Sequence, residues 1–235
     1  MGATLTINGA LVRADASGAL SWPEAGMLIV ADLHLEKGSS FVRAGRFLPP
    51  YDTRETIDRL TAVVRRFQPR RVVCLGDTFH DASAASRLPD VEAARLRDLA
   101  RAHDWIWVAG NHDPAPPERF GGRVVTDLAE GPFCFRHEPS DGRLFPGDIC
   151  GHFHPKATVS SRGHRITGRC FVTDGVRMIL PAFGAYTGGL DVLDPAVAGL
   201  FGRTNFRVLL AVRERLFMFS RTQIDRTATQ IAVAK

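Results

Sequence analysis

Four short clusters of metal-binding residue types follow one another along the chain: Asp32-Leu33-His34, Gly76-Asp77, Gly110-Asn111-His112-Asp113 and Gly151-His152-Phe153-His154. Imidazole, carboxylate and amide oxygen form a hard to borderline donor set that suits Mn²⁺, Fe or Zn without any thiolate. A phosphate oxygen can complete such a shell, so these residue types point to phosphoester hydrolysis by two metal ions. Two ions about 3.5–4 Å apart need a bridging carboxylate, and Asp77, after the tight turn at Gly76, is the natural bridge. Completing the coordination of the second ion takes a further imidazole, and His137 is the one histidine between Asp113 and Gly151.

The elements that position these residues are legible around them. Each cluster sits where an apolar run ends, at 27–31, 71–75, 105–109 and 148–150, and His137 follows a fifth run at 133–135. Ligands at strand ends converge on one edge of a sheet, where open α/β folds keep their sites. Alternation along a strand is expected to put Asp32 and His34 on one face with Leu33 opposite, and His152 and His154 likewise around Phe153.

Around the clusters, 4–7, Asn8-Gly9 and 10–13 read as an opening hairpin, because Asn-Gly supplies the positive φ angles of a type I′ turn. A longer loop is expected before the first ligand strand. Asp52 to Glu55 has the form of a capping box; Ile57, Leu60, Val64 and Phe67 follow at helical spacing, Arg59, Arg65 and Arg66 take the exposed face, and Pro69 ends the element. A second helix is expected over about 91–102 with Leu96 and Leu99 inward. After His112 the pattern changes to short strands at 124–126, 133–136, 170–173, 176–180, 208–212 and 215–220. Two sheets packed face to face with helices outside account for both halves.

The order D-x-H, G-D, G-N-H-D, H, G-H-x-H over residues 32–154 resembles the calcineurin-like metallophosphoesterase superfamily. The segments 31–38 (ADLHLEKG), 48–53 (LPPYDT) and 180–190 (LPAFGAYTGGL) are similar to its small bacterial ligase-associated (PdeM) group. The resemblance implies an α/β fold, a four-layer αββα sandwich of two mixed β-sheets flanked by helices. It also implies Mn²⁺-supported phosphodiester hydrolysis and a place in DNA repair, as a DNA-end-processing enzyme or endonuclease beside an ATP-dependent DNA ligase. Carried over by position, Asp32, His34, Asp77 and His154 would hold one metal, and Asp77, Asn111, His137 and His152 the other. His112 would be the catalytic histidine, with Asp113, His80 or Asp81 orienting its ring. In the protein phosphatases of this superfamily an acid and an arginine follow the bridging aspartate; here the run is Gly76-Asp77-Thr78-Phe79-His80. That form resembles a double-strand-break repair nuclease instead, and makes His80 a candidate catalytic or phosphate-contacting residue.

Composition sets the frame. The chain of 235 residues has ordinary apolar and charged fractions and is expected to form one domain over 1–235. A formal charge of +5 is compatible with a polyanionic partner such as DNA, or equally with an ordinary solvated surface, since lysine occurs only at Lys37, Lys156 and Lys235 and arginine supplies the rest. Lys37, Arg43 and Arg46, leaving the first metal motif, are the basic residues placed to reach a substrate phosphate. Cys74, Cys134, Cys150 and Cys170 form no C-x-x-C pair and read as buried free thiols in a reducing compartment. With no signal segment and no apolar run near the roughly 20 residues of a membrane helix, a cytoplasmic location is expected. A small nucleotide or cyclic nucleotide is the alternative substrate, because metal ligands do not specify the leaving group. A non-catalytic binding module is a further alternative, against which the intact ligand set argues.

Overall fold

The computed structural model describes residues 2–43, 45, 51–114, 118–161, 164–202 and 205–224. The chain first runs β1 (Gly2–Ile7), β2 (Ala10–Asp15), β3 (Leu20–Trp22), β4 (Met27–Ala31), α1 (Lys37–Arg43), α2 (Asp52–Phe67), β5 (Arg71–Leu75), α3 (Ala84–Arg87), α4 (Asp90–Ala102), β6 (Asp104–Val108) and β7 (Arg123–Val125). These strands form one sheet in sequence order, antiparallel from β1 to β4 and parallel from β4 to β7. A second sheet takes β8 (Asp127–Glu130), β9 (Phe133–Arg136), β10 (Asp148–Cys150), β11 (Lys156–Ser161), β12 (His164–Thr173) and β13 (Met178–Ile179). After α5 (Pro195–Ala198) it is completed by β14 (Arg207–Val212) and β15 (Arg215–Ser220). In it β9, β10 and β13 are parallel neighbours and the remaining pairs are antiparallel.

The two sheets close on a shared apolar layer in which Ile29, Val73 and Ile106 meet Phe135, Ile149, Phe171 and Leu209. Outside the first sheet, Ile57, Leu60 and Val64 of α2 and Leu96 of α4 lie on Leu28, Val30, Val72 and Cys74. Burying each such side chain contributes about 1.5–3 kcal/mol, so the helical spacing is what docks these helices. The far face of the second sheet is covered more thinly, by Val197 and Ala198 of α5 with Phe201 and Phe206. Helix, sheet, sheet, helix is the αββα order the sequence implied. Strand β4 is buried along its whole length, as a central parallel strand must be.

The opening hairpin forms as expected, with Asn8 at φ 45° and Gly9 at φ 86°. α2 ends at Gln68, whose left-handed φ of 45° lets its N–H reach the Val64 carbonyl just before Pro69. Four expectations need correction. Asp52 and Glu55 make no capping box: the helix is entered through Tyr51 without a side-chain cap, and the Asp52 carboxylate instead accepts from Gly38 N–H at 2.8 Å. The loop before β4 contains β3. The strand at 176–180 shrinks to Met178–Ile179, because Asp174 Oδ1 accepts from both Val176 and Arg177 N–H and holds a turn there. Arg59 is not on a free face; its guanidinium donates to the Ser17 carbonyl and rests 4.7 Å over the Phe183 ring. Among the described residues no helix is long and apolar enough to cross a membrane.

Candidate metal centre

The neighbouring parallel strands β4, β5 and β6 end side by side, as do β9 and β10, and the candidate ligands leave from those ends. Strand alternation is not what turns them inward. Residues 32–34 and 151–154 lie beyond the strands, and Asp32 (φ 54°), His34 (44°), Asp77 (44°), His152 (69°) and His154 (47°) all adopt left-handed backbone. Non-glycine residues avoid that region, Asp and His less than most, and strain of this kind costs on the order of 1–3 kcal/mol per residue. Interlocking hydrogen bonds offset it: His34 N–H donates to Asp77 O at 2.9 Å, Leu35 N–H to Thr78 O at 2.9 Å, and His152 N–H to Asp32 Oδ2 at 3.0 Å. The motif glycines serve close approach. A Cβ on Gly110 would lie 2.2 Å from Asp77 N, and one on Gly76 would lie 2.3 Å from His137 Nδ1.

Two donor clusters result. In one, His34 Nε2 and His154 Nε2 approach to 3.1 Å, and His154 Nε2 is 3.5 Å from Asp32 Oδ1. In the other, Asn111 Oδ1 is 2.8 Å from His137 Nε2 and 3.1 Å from His152 Nδ1, with the two ring nitrogens 3.1 Å apart. Asp77 Oδ2 stands toward both, 3.7 Å from His34 Nε2 and 3.5 Å from His137 Nε2, while its Oδ1 accepts from His112 N–H at 2.9 Å. His137 Nδ1 lies 3.2 Å from the Leu75 carbonyl; donation there leaves the Nε2 lone pair facing the cluster. Asp32 and Asp77 are buried, and their only ionic partners among the described residues are histidines. Buried carboxylates need compensating charge, and converging imidazole lone pairs cannot supply it when neutral. The His34 ring is in fact pushed down to about 2, first by burial and then by neighbouring His154, Lys37, His80 and His112. These residues fit a pair of divalent cations, whose charge would complete the site.

Beside the clusters, His112 Nδ1 is 2.7 Å from the backbone carbonyl of His80, and the two rings stack 5.4 Å apart at 20°. Of the three groups the sequence left open for orienting His112, the structure supplies His80, through its main chain. Asp113 turns away: its Oδ2 accepts from Phe79 N–H at 3.0 Å, stapling the loop after β6 to the loop after β5. Burial, then the charges of Asp77 and Asp32, raise its carboxyl to about 7. Asp81 is bound by Arg87 through two nitrogens, at 2.9 and 2.6 Å.

Arg43 donates to Ser83 Oγ at 3.3 Å and makes no hydrogen bond or ion pair with a candidate ligand among the described residues; Arg46 lies outside the described residues. Lys37 stands close enough to His34 and His80 to depress both rings. The segment 180–190 packs beneath the ligand turns: Phe183 N–H donates to Ala31 O, Gly184 N–H to Asp32 O, and Leu190 N–H to Phe153 O. A Cβ on Gly184 would lie 2.0 Å from Leu33 O, and one on Gly189 2.1 Å from His154 O, so these glycines are there for close packing against both turns. Sequence reasoning missed the basic side chains next to this segment, Lys156 and Arg169. Their signal was position, two residues past His154 and opposite Lys156 on the paired strand. All four cysteines are free, and three of them are buried.

The Calcineurin-like phosphoesterase family matches residues 27–177. Among solved structures, the nuclease MPE of Pseudomonas putida is similar with a TM-score of 0.70 and 25% identity, over 93% of this chain and 100% of that one. Yfce, a phosphoesterase from E. coli, is 12% identical at a TM-score of 0.40, over 84% and 98% of the two chains. No curated protein matches the chain by sequence. With the family match covering every candidate ligand and both sheets contributing to the site, the chain belongs to the calcineurin-like phosphoesterases and is a metal-dependent phosphoester hydrolase.

Proposed function

We propose that the protein is a dinuclear phosphodiesterase, supported by Mn²⁺, that cleaves or trims DNA in a cytoplasmic repair role linked to an ATP-dependent DNA ligase. The observation that carries the dinuclear reading is Asp77 Oδ2, which faces His34 Nε2 on one side and His137 Nε2 on the other. Asp32, His34, Asp77 and His154 would hold one ion, and Asp77, Asn111, His137 and His152 the other. Bound there, the ions lower the pKa of water toward neutrality and neutralise charge on the phosphoryl oxygens. Asp77 Oδ1, tied to His112 N–H, keeps Oδ2 turned to the shared position. His112, with Nδ1–H donated to the His80 carbonyl, presents Nε2 to the site; when the ring is protonated, Nε2 carries the proton that goes to the departing oxygen. The ring stands outside both donor clusters with Nδ1 engaged and Nε2 left to the site, which is the reason to assign it the acid's part.

The diester and nucleic-acid parts of the reading are supported by likeness to a structure named as a nuclease, and by His80 standing where the protein phosphatases carry an acid. The test is to assay Mn²⁺-loaded protein on an aryl diester, an aryl monoester, cyclic nucleotides, and nicked, blunt and 3′-blocked DNA. Cleavage of the aryl diester and of at least one DNA is expected. Hydrolysis of the monoester or a cyclic nucleotide far ahead of every DNA would overturn the repair reading.

A further inference from the structure

A cleft of about 440 Å³ opens beside the metal centre, lined by Arg59, Lys156, Arg169, Tyr186 and Thr187 with Glu55 as its carboxylate. It begins where the ligand turns end: Lys156 is two residues past His154, and Gly184, on its wall, donates to the Asp32 carbonyl at 3.1 Å. Arg169 is partly buried on β12 and makes no hydrogen bond or ion pair among the described residues. Its guanidinium is depressed to about 10, first by burial and then by the facing charge of Arg59. Arg59 is itself held in place by Ser17 O and the Phe183 ring, so it cannot swing away. Guanidinium groups crowded and partly desolvated in this way are poised for an anion with several acceptor oxygens. Tyr186, at the rim, is 43% exposed and holds a left-handed φ of 59°. A partly exposed aromatic residue lining a cleft of cations offers a stacking face for a base.

We propose that this cleft binds the phosphate next to the scissile one along a polynucleotide strand, with Arg169 and Lys156 holding that phosphate and Tyr186 stacking on an adjacent base. The proposal rests on the phosphodiesterase reading above. It goes further by giving the enzyme a reason to prefer a strand to a small diester, since an aryl diester has no second phosphate to place in the cleft.

The test compares wild-type protein with Arg169→Ala, Arg169→Lys and Tyr186→Ala. Mn²⁺-loaded protein is titrated with a labelled phosphorothioate single strand at several salt concentrations, and kcat/KM is measured on bis(p-nitrophenyl) phosphate and on an all-phosphate strand. Arg169→Ala is expected to weaken strand binding by about ten-fold, as for loss of a charge-assisted hydrogen bond, and to lower the salt slope by roughly 0.7. Its loss on the aryl diester should be several-fold smaller, Arg169→Lys should recover part of the binding, and Tyr186→Ala should weaken binding with the slope unchanged. Wild-type affinity and slope in Arg169→Ala would overturn the proposal, as would equal losses on both substrates at an unchanged thermal midpoint. If the wild-type protein binds the strand through Arg169 yet cleaves no nucleic acid, the nuclease reading falls and the cleft stands. If it cleaves the strand and Arg169→Ala does so equally well, the cleft falls and the nuclease reading stands.

Discussion

The two donor clusters of the metal centre are built differently. In the first, Asp32 and His34 are 0% and 3% exposed, under the loop of Phe79 and the segment through Phe183, with His154 partly buried; in the second, His137 is buried but His152 is half-buried and Asn111 is exposed, beside an exposed His112. Asp32 and His34 of the buried cluster come from the left-handed turn after β4, locked to the β5 loop by His34 and Leu35 N–H. The more open cluster reaches solvent through Asn111 and His152, above the buried His137. A closed shell suits an ion that is retained, while an open one suits an ion that meets substrate. Asp77 belongs to both, so the largest effect is expected there. Asp77→Asn removes a buried negative charge from two sites at once. Loss of one partner from a buried charge pair costs about 3–5 kcal/mol, or roughly 10²–10⁴-fold in metal affinity. Metal analysis after desalting should find both ions gone and diesterase activity lost; two retained ions with normal turnover would remove Asp77 from the shared position.

The contrast itself is broken or upheld by a pair of variants. His34→Ala, on the closed side, should lose metal and also lower the thermal midpoint, because the ring is buried against His80, His112 and His154. His152→Ala, on the open side, should lose metal affinity while leaving the midpoint of the metal-free protein within about 2 °C. Chelator titration of the wild-type protein should release two ions in separable steps, and His152→Ala should move only the weaker one. Simultaneous release in one step would show the two halves to be equivalent.

His112 lies on the open side and holds no corner of either cluster, so its removal should act on chemistry alone. His112→Ala is expected to keep both ions and lose roughly 10²–10⁴-fold on diesters with poor leaving groups, with little loss on activated aryl diesters. A uniform loss on both would assign it a binding role.

How far the site was legible follows from the same contrast. Every candidate ligand stood at the end of an apolar run, and parallel neighbours align their ends, so convergence at one edge could be read from residues such as Asp32, Asp77 and Asn111. How each side chain turns inward could not. Asp32, His34 and His154 reach the centre through left-handed backbone fixed by hydrogen bonds from distant loops, and no local pattern announces those. Asp52 shows the same limit: its local setting is that of a helix start, but a buried N–H at Gly38, fourteen residues earlier, claims the carboxylate. Arg59 reads as surface on helical spacing, and only the return of Phe183 from the far end of the chain covers it. In the second sheet, short strands divided by turns leave too few residues for periodicity to act, so the apolar run 176–180 overstates the strand Met178–Ile179.

The smallest effect tests how the open side holds His112. The His80 carbonyl that orients His112 is followed directly by Asp81, which Arg87 grips through two nitrogens while Ser83 adds its N–H and hydroxyl. Hydrogen bonds from Arg87, opposed by partial burial and aided by Ser83, hold the Asp81 carboxyl well below the usual carboxylate range. A carboxylate with a folded pKa below its unfolded value of about 3.9 contributes its full stability above that value, and loses it as pH falls through the lower folded value. The group is 38% exposed, so solvent screening limits the contribution to about 0.2–1 kcal/mol. Arg87→Ala should therefore lower the thermal midpoint at pH 7 by no more than about 4 °C, and the deficit should shrink progressively as pH falls from about 4 through the lower folded value. The same variant should reduce turnover several-fold on poor leaving groups and less on activated ones, since a loosened His80 carbonyl leaves His112 in place less of the time. An unchanged ratio between the two substrates, together with the expected stability loss, would confine the Asp81–Arg87 pair to holding the loop and leave the orientation of His112 to stacking against His80 alone.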